Sequence, residues 1–242
     1  SLYMANERGN STASRARKLS AIKTFFKYMV ATERVLEKNP AADIETPKRK
    51  NALPKYLTEN ESISLLTSVL DDKDAKYKER DFCIITLFLN CGMRLSELVG
   101  INLSDIDRDL RSLRVVGKGN KERFVYFGSS CRKAIDAYLE ERNKIVLSDN
   151  RALFGSRDSN RISVTAVHRL VKKHMLVAGL DATQYSAHKL RHTAATMMLS
   201  GGVDVRTVQD VLGHENLNTT QIYTHIENTE LKIAAEANPL SK

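Results

Sequence analysis

The segment SAHKLRHTAATMMLSGGVDVRTVQDVLGHENLNTTQIYTHI, residues 186–226, carries an unusual concentration of side chains that can bind and attack a phosphate. His188 and Arg191 are three residues apart, so a helix would place them on one face. His214 follows in a Leu-Gly-His turn, and Tyr223 comes nine residues later. Imidazoles, a guanidinium and a phenol make a poor hydrophobic core. The segment therefore indicates a site that holds a phosphate and attacks it.

A zinc site is the main alternative for this segment, because His188 and His192 are one helical turn apart. The residues between them lack the glutamate of the H-E-x-x-H motif, and no third ligand lies nearby in the sequence. We therefore predict no metal ligands and no cofactor. His192 is interpreted as a packed structural histidine.

Overall composition favours a polyanionic partner. The 242 residues carry a formal net charge of +9, and the pI is about 9.4. The three cysteines form no CxxC pair, and Cys83 and Cys91, which lie in an apolar run, are interpreted as buried thiols in a reducing compartment. No apolar run approaches the roughly 20 residues of a membrane span, and no signal peptide is recognised, so we expect a soluble intracellular protein.

The N-terminal part of the chain is predicted to be helical and basic. Within Ser14–Val30, apolar residues recur at helical spacing and positive charges occupy the other face, with Ser11 or Thr12 as the cap. A second helical region follows and is ended by Asn39-Pro40. The apolar face of the first helix is Leu19, Ile22, Phe25, Phe26 and Met29.

Residues 47–54, PKRKNALP, are a linker by composition, with two prolines and three adjacent positive charges. Beyond it, Thr58 and Glu61 form a capping-box signature, and Ser96 is a second candidate helix cap. The run Tyr77–Asn90 is predicted to be a core helix. Two strands flank the turn GKGNKE, and further helices are expected at about 129–144, 163–178, 186–200, 204–212 and 218–225, before a short C-terminal helix.

Five motifs together resemble the tyrosine recombinases, the phage-integrase family. The resemblance is closest to Xer-type recombinases and mobile-element integrases, and it covers the chain from about residue 8 to the end. Each motif is weak alone, but their order and separations are those of the family. The motifs are GMRLSEL at 92–98, GKGNKER at 117–123, HKLRHTAAT at 188–196, LGH at 212–214 and YTH at 223–225.

This resemblance implies a mainly α fold with a small antiparallel β-sheet. It implies part of a helical DNA-clamping (core-binding) domain at 1–46, the linker at 47–54 and the catalytic domain at 55–242. The clamping domain of the family has about four helices, of which we expect the last two here. Residues 229–242 are expected to form a helix that docks on a neighbouring subunit of a tetramer assembled on DNA.

The resemblance also assigns roles to residues. Tyr223 would be the nucleophile, and Glu97 would support Arg94. Two guanidiniums can hold both non-bridging oxygens of a phosphodiester and stabilise the charge of the transition state. The remaining catalytic candidates are Arg94, Lys118, His188, Arg191 and His214, and the candidate DNA contacts are Arg15, Arg17, Lys18, Lys48, Arg49, Lys50, Lys121 and Arg123.

The predicted function is site-specific recombination of duplex DNA through a 3′-phosphotyrosine intermediate, in DNA integration or in chromosome or plasmid dimer resolution. The expected location is a bacterial-type cytoplasm, at the nucleoid. Two alternatives remain at this point: a type IB topoisomerase-like activity that nicks and religates, and a catalytically silent DNA-binding regulator.

Overall fold

A computed structural model describes residues 9–47, 56–72, 76–117, 122–213, 236 and 239–241. The chain divides into two compact units, Ser1–Leu53 and Pro54–Lys242. Apart from Pro47, the predicted linker at 47–54 lies outside the described residues.

The described part of the first unit contains one long helix, α1, Thr12–Ala31. Its N-cap is Ser11, whose hydroxyl accepts a hydrogen bond from the Ser14 backbone N–H at 3.2 Å, as predicted. Leu19 on the predicted apolar face is buried, whereas Ile22 and Phe25 are 39% and 56% exposed. This face is therefore only partly covered, because the rest of the unit's described chain supplies little apolar surface.

The second helix predicted in this unit is wrong: residues 32–47 are all described and form turns, bends and irregular chain. Asn39 accepts a hydrogen bond from the Ala41 backbone N–H at 2.9 Å and donates to the Lys23 carbonyl at 3.2 Å. Lys23 in turn donates to the Ala42 carbonyl at 3.0 Å. These side-chain bonds satisfy the backbone locally, and Pro40 provides no N–H for a helix.

The second unit is mainly α-helical with a two-stranded antiparallel sheet, which confirms the predicted fold class. In the sheet, Leu113 lies opposite Val125, and both are buried. The described elements are α2 (Glu59–Leu70), α3 (Lys78–Cys91), α4 (Leu95–Gly100), β1 (Ser112–Val116), β2 (Glu122–Tyr126), α5 (Ser129–Arg142), α6 (Val164–Val177), α7 (Ala187–Ser200) and α8 (Val205–Leu212).

Helix α3 is the centre of this unit, packed against α2, α5 and α7. It is buried around most of its circumference from Cys83 to Cys91, as the apolar run predicts. It ends at Gly92, which has φ +57°. Helix α4 starts two residues earlier than the predicted Ser96 cap implies. Arg94 is the N-cap, and its backbone N–H donates to the Glu97 carboxylate at 2.8 Å.

The described residues near the C-terminus pack on their own unit. Pro239–Ser241 forms a single 3-10 turn against α2, α3 and α5, and Leu240 is 8% exposed in the core. Apart from 236 and 239–241, the helix expected at 229–242 lies outside the described residues, as does the one expected at 218–225.

The three cysteines, Cys83, Cys91 and Cys131, are free and buried. Burial raises the pKa of the Cys83 thiol above its usual range, so it remains protonated. No helix in the described ranges combines the length and apolar character needed to cross a membrane.

Gly92 provides a direct test of this packing. A Cβ there would lie 2.4 Å from Leu212 Cδ2, and φ +57° is unfavourable for any other residue. We expect Gly92→Ala to lower the free energy of unfolding by about 2–4 kcal/mol, measured by urea denaturation. Gly100→Ala is the matched control, because nothing lies within 4 Å of its Cβ position. A Gly92→Ala protein as stable as the control would contradict the packing described.

Candidate active site

Two helix C-termini meet at the site. Helix α3 ends at Gly92 with φ +57°, and α8 ends at Gly213 with φ +65°. The last carbonyls of a helix lack partners within it and carry partial negative charge. Cationic side chains are therefore stabilised where these two ends converge.

Arg191 lies between the two ends. It is 6% exposed on α7, and its Nη1 and Nη2 donate to the carbonyls of Gly92 and Leu212, both at 2.6 Å. Burial, together with the charges of Arg94 and Arg123, lowers the pKa of Arg191 to about 10. The guanidinium is consequently still a cation at neutral pH.

Arg94 approaches the same region from the start of α4. Its Nη1 donates to Glu97 Oε1 at 2.9 Å, and its Nη2 donates to the Gly213 carbonyl. The side chain is 37% exposed, unlike that of Arg191. Arg94 and Arg191 therefore contact consecutive carbonyls at the end of α8, with Arg94 nearer to solvent.

Glu97 is the carboxylate of the site, and its side chain is 2% exposed. It accepts hydrogen bonds from both Arg94 and Arg123. Burial by itself would raise the pKa of Glu97, but the hydrogen bonds from Arg123 and Arg94 outweigh burial and hold that pKa below its usual value. Glu97 is therefore ionised and shared by two guanidiniums.

The side chain of Arg123, predicted as a DNA contact, faces into the protein. Its side chain is only 16% exposed and donates to the Glu97 carboxylate and to the Val211 carbonyl. This position could have been predicted from the sequence, because side chains alternate between the two faces of a strand. Arg123 is two residues from the buried Val125 and therefore shares the inward face of β2 with it.

His188 is in the first turn of α7, one turn before Arg191, and is exposed. His192 is also exposed, so the prediction that it is a packed structural histidine is wrong. The two imidazole rings meet edge to face, with centroids 5.3 Å apart. Partial burial and the neighbouring His188 lower the pKa of His192. The buried positions of α7 are Ala187, Leu190, Arg191, Thr193, Ala194, Met197 and Met198, which leaves His192 on the solvent side.

The other predicted residues either belong to the first unit or fall outside the described ranges. On α1, Arg15 is partly buried, and Arg17 and Lys18 are exposed. Within the described ranges, no three His, Cys, Asp or Glu side chains gather as metal ligands would. The predicted residues outside the described ranges are Lys48, Arg49, Lys50, Lys118, Lys121, His214 and Tyr223.

The sequence profile of the phage integrase family matches residues 55–230. The chain belongs to this family. It is 50% identical, over 99% of its length and 67% of the relative's, to the tyrosine recombinase XerC of Caldanaerobacter subterraneus subsp. tengcongensis. It is 40% identical to the XerC of Corynebacterium glutamicum, over 95% of its length and 73% of the relative's.

The chain is also similar in structure to solved recombinases and integrases. The XerH site-specific recombinase, in a post-cleavage complex with a palindromic difH substrate, has a TM-score of 0.74 and 26% identity; the match covers 96% of this chain and 69% of that one. The Tn1549 transposon integrase has a TM-score of 0.72 over 89% of this chain and 75% of its own, and at 22% identity it supports the fold alone. The predicted enzyme class, a tyrosine-type site-specific DNA recombinase, is confirmed. Neither the topoisomerase-like nor the silent-regulator alternative is favoured.

Glu97→Gln tests the charge balance of the site. Because folding lowers the pKa of Glu97, its ionised form stabilises the protein above about pH 4.3, and this contribution is lost as pH falls through the folded-state pKa. We expect Glu97→Gln to lower the free energy of unfolding by about 3 kcal/mol at pH 7, because the buried Arg123 loses its counter-charge. The difference between the variant and wild type in the free energy of unfolding, measured by urea denaturation, should shrink below about pH 4.

The control is Glu140→Gln, an exposed glutamate of α5, which should change stability by less than about 0.5 kcal/mol. A deficit for Glu97→Gln that is the same at pH 7 and at pH 3.5 would contradict an ionised Glu97.

Proposed function

We propose that the guanidiniums of Arg94 and Arg191 bind the scissile phosphate while Tyr223 attacks it. The observation that carries this proposal is the charge of the cluster. Glu97 is the one carboxylate among the described hydrogen-bond partners of the cluster's three arginines: it accepts from Arg94 and Arg123, whereas Arg191 donates to backbone carbonyls. The cluster therefore keeps an excess of positive charge next to a partly exposed arginine, and an anionic phosphodiester would balance it.

Nucleophilic attack requires an activated phenol. The unperturbed pKa of tyrosine is about 10, so Tyr223 is protonated at neutral pH and needs a base. In our proposal His188 accepts the phenol proton, which its exposure and its position one turn before Arg191 support. As the Tyr223 oxygen bonds to phosphorus, negative charge builds on the non-bridging oxygens, and the guanidiniums stabilise this charge in the transition state.

The leaving group is the 5′ oxygen. The phosphorus–oxygen bond breaks, the electron pair stays on the 5′ oxygen, and Lys118 donates a proton to it as general acid. His214 would donate a hydrogen bond to a non-bridging oxygen. The 3′-phosphotyrosine bond conserves the energy of the broken linkage, so attack by a 5′ hydroxyl of another strand religates DNA without ATP. None of these steps uses a metal or a cofactor.

Duplex DNA would be held mainly through its phosphates. The exposed Arg17 and Lys18 of α1, with Arg15 beside them, support contacts of this kind from the first unit, which we propose is part of a DNA-clamping domain. Each neutralised phosphate adds to the salt dependence of binding. Lys48, Arg49, Lys50 and Lys121 complete the proposed set.

The biological process in this proposal is chromosome or plasmid dimer resolution or DNA integration, in a bacterial cytoplasm at the nucleoid. The 50% identity to a XerC recombinase supports a Xer-like role in preference to a role in a mobile element. The likeness to XerH in complex with its difH substrate supports a duplex recombination site as the substrate.

Tyr223→Phe tests the nucleophile. The probe is a nicked duplex carrying a binding site selected by the protein from a random-sequence library. We expect wild type to give a covalent protein–DNA band on a denaturing gel and Tyr223→Phe to give none, because phenylalanine has no oxygen to attack with. Tyr56→Phe, which changes a 47% exposed tyrosine, is the control and should cleave like wild type.

Adding a second duplex with the same site separates recombination from relaxation. Joined products containing strands from both duplexes support recombination. Relaxation of a supercoiled plasmid without joined products would instead support the topoisomerase-like alternative, and a covalent band from Tyr223→Phe would overturn the nucleophile assignment.

We further propose that the enzyme works as a tetramer on DNA, with residues 229–242 docking on a neighbouring subunit. Such docking would have to replace the contacts that Leu240 makes within its own unit. Deleting 229–242 should abolish the slow-migrating synaptic complex in a native gel while binding of a monomer to a half-site stays within about threefold of wild type. The melting temperature of the deletion protein reports any loss of the Leu240 packing, and synapsis that survives the deletion would contradict the proposal.

A further inference from the structure

Arg123 makes contacts that neither a DNA-binding nor a surface arginine would need. Its Nη1 and Nη2 donate to Glu97 Oε1 and Oε2, at 2.7 and 2.9 Å, in a bidentate pair. Its Nε donates to the carbonyl of Val211 at 3.3 Å. All three guanidinium nitrogens therefore face into the protein, which leaves no free edge of the fork for a phosphate.

These contacts join three separate parts of the second unit. Arg123 is on β2, Glu97 on α4 and Val211 on α8. The guanidinium also lies against the turn that ends α8, because a Cβ on Gly213 would be 3.1 Å from Arg123 Nε. A single side chain thus fixes the distance from the hairpin strand to the helix end that immediately precedes His214.

Arg123 also determines what Glu97 can do for Arg94. Oε1 of Glu97 accepts from Arg94 Nη1 and from Arg123, and Oε2 accepts from the Arg94 backbone N–H and from Arg123. Both oxygens are therefore fixed on one side by Arg123 and on the other by Arg94. Without the bidentate partner, the carboxylate would be free to rotate away from the geometry that aims Arg94.

We propose that Arg123 is a positioning residue for strand cleavage, which acts through Glu97 on Arg94 and through the Val211 carbonyl on the turn before His214. The inference rests on the proposed function, since Arg94 must bind the scissile phosphate for its orientation to matter. Arg123 itself touches no DNA. The planar fork is essential to this role, because a lysine ammonium cannot bond both carboxylate oxygens and a carbonyl in this geometry.

The test compares Arg123→Lys and Arg123→Gln with Arg114→Gln. Arg114 is the matched control, because it lies on the neighbouring strand β1 and pairs with Asp105 and Glu122, away from Glu97. The readouts are the melting temperature, the affinity for the selected site at two salt concentrations, and the single-turnover rate of covalent complex formation on the nicked duplex. Arg123→Lys keeps the charge and provides a folded variant if Arg123→Gln does not fold.

We expect both Arg123 variants to bind DNA within about twofold of wild type with an unchanged salt slope, and to form the covalent complex at least about tenfold more slowly, a typical cost of losing a group that orients a functional residue. Arg114→Gln should cleave at the wild-type rate. Arg123→Gln should slow cleavage much less in an Arg94→Lys background than in wild type, because both changes disturb the same hydrogen-bonded group of Arg94, Glu97 and Arg123.

A methylphosphonate at the scissile position separates positioning from a general structural role. Cleavage of this neutral linkage depends less on Arg94 for charge stabilisation. The factor by which Arg123→Lys slows cleavage should therefore shrink, together with the factor for Arg94→Lys. Wild-type cleavage rates in folded Arg123 variants, or a defect that is unchanged on the methylphosphonate, would overturn the inference. So would a salt slope reduced by about one unit, which would make Arg123 a phosphate contact.

Failure of the proposed function gives a different result. If wild type forms no covalent complex at all, the nucleophilic mechanism falls, and the role of Arg123 falls with it. If wild type forms the complex, Tyr223→Phe does not and the Arg123 variants match wild type, only the inference about Arg123 is lost.

Discussion

The structure of the second unit depends on two helix C-termini that are held together by arginines. Helices α3 and α8 each end in a glycine with positive φ, which exposes carbonyls that have no partner in their own helices. Arg191 donates a hydrogen bond to one carbonyl at each end, so this buried side chain connects the two helices and is also a candidate phosphate ligand. A lysine could not span the two carbonyls in the same way.

The same arrangement explains how guanidiniums with like charge can stay close together. Carbonyl dipoles at two helix ends and the Glu97 carboxylate stabilise Arg94, Arg123 and Arg191. Burial, and after it repulsion from Arg94 and Arg123, still lowers the pKa of Arg191. A bound phosphodiester would relieve that repulsion. Because the donors are already ordered by the protein, little reorganisation would accompany the charge that develops during cleavage.

Local signals in the sequence were sufficient for most of the fold. The capping box at Thr58, the apolar run of α3 and the glycine stop at Gly92 each act within a few residues, and each appears in the structure as predicted. Arg94 and Arg191 were found as chemistry-bearing residues through spacing and family resemblance. The prediction for His192 failed because its exposure depends on which neighbours cover each face of α7. The inward position of Arg123, by contrast, follows from the alternation of side chains along β2.

The start of α4 shows the same limit. Ser96 is a good cap by composition, yet Glu97 accepts the Arg94 backbone N–H because that carboxylate is already fixed between two guanidiniums. On α1, helical periodicity predicted an apolar face correctly but not how much of it would be covered. Periodicity identifies which residues share a face, and the amount of partner surface decides whether the face is buried.

The contact between Arg94 and the Gly213 carbonyl spans 119 positions of the chain. A ribosome releases the first helices of the second unit long before the end of α8 emerges, so Arg94 lacks its carbonyl partner at the end of α8 during most of the synthesis of this unit. The proposed nucleophile is made later still. An incomplete chain therefore already contains the basic helix α1 but lacks the ordered arginines and the attacking phenol. If α1 contacts DNA as proposed, truncated or unfinished copies of this protein would bind DNA without breaking it.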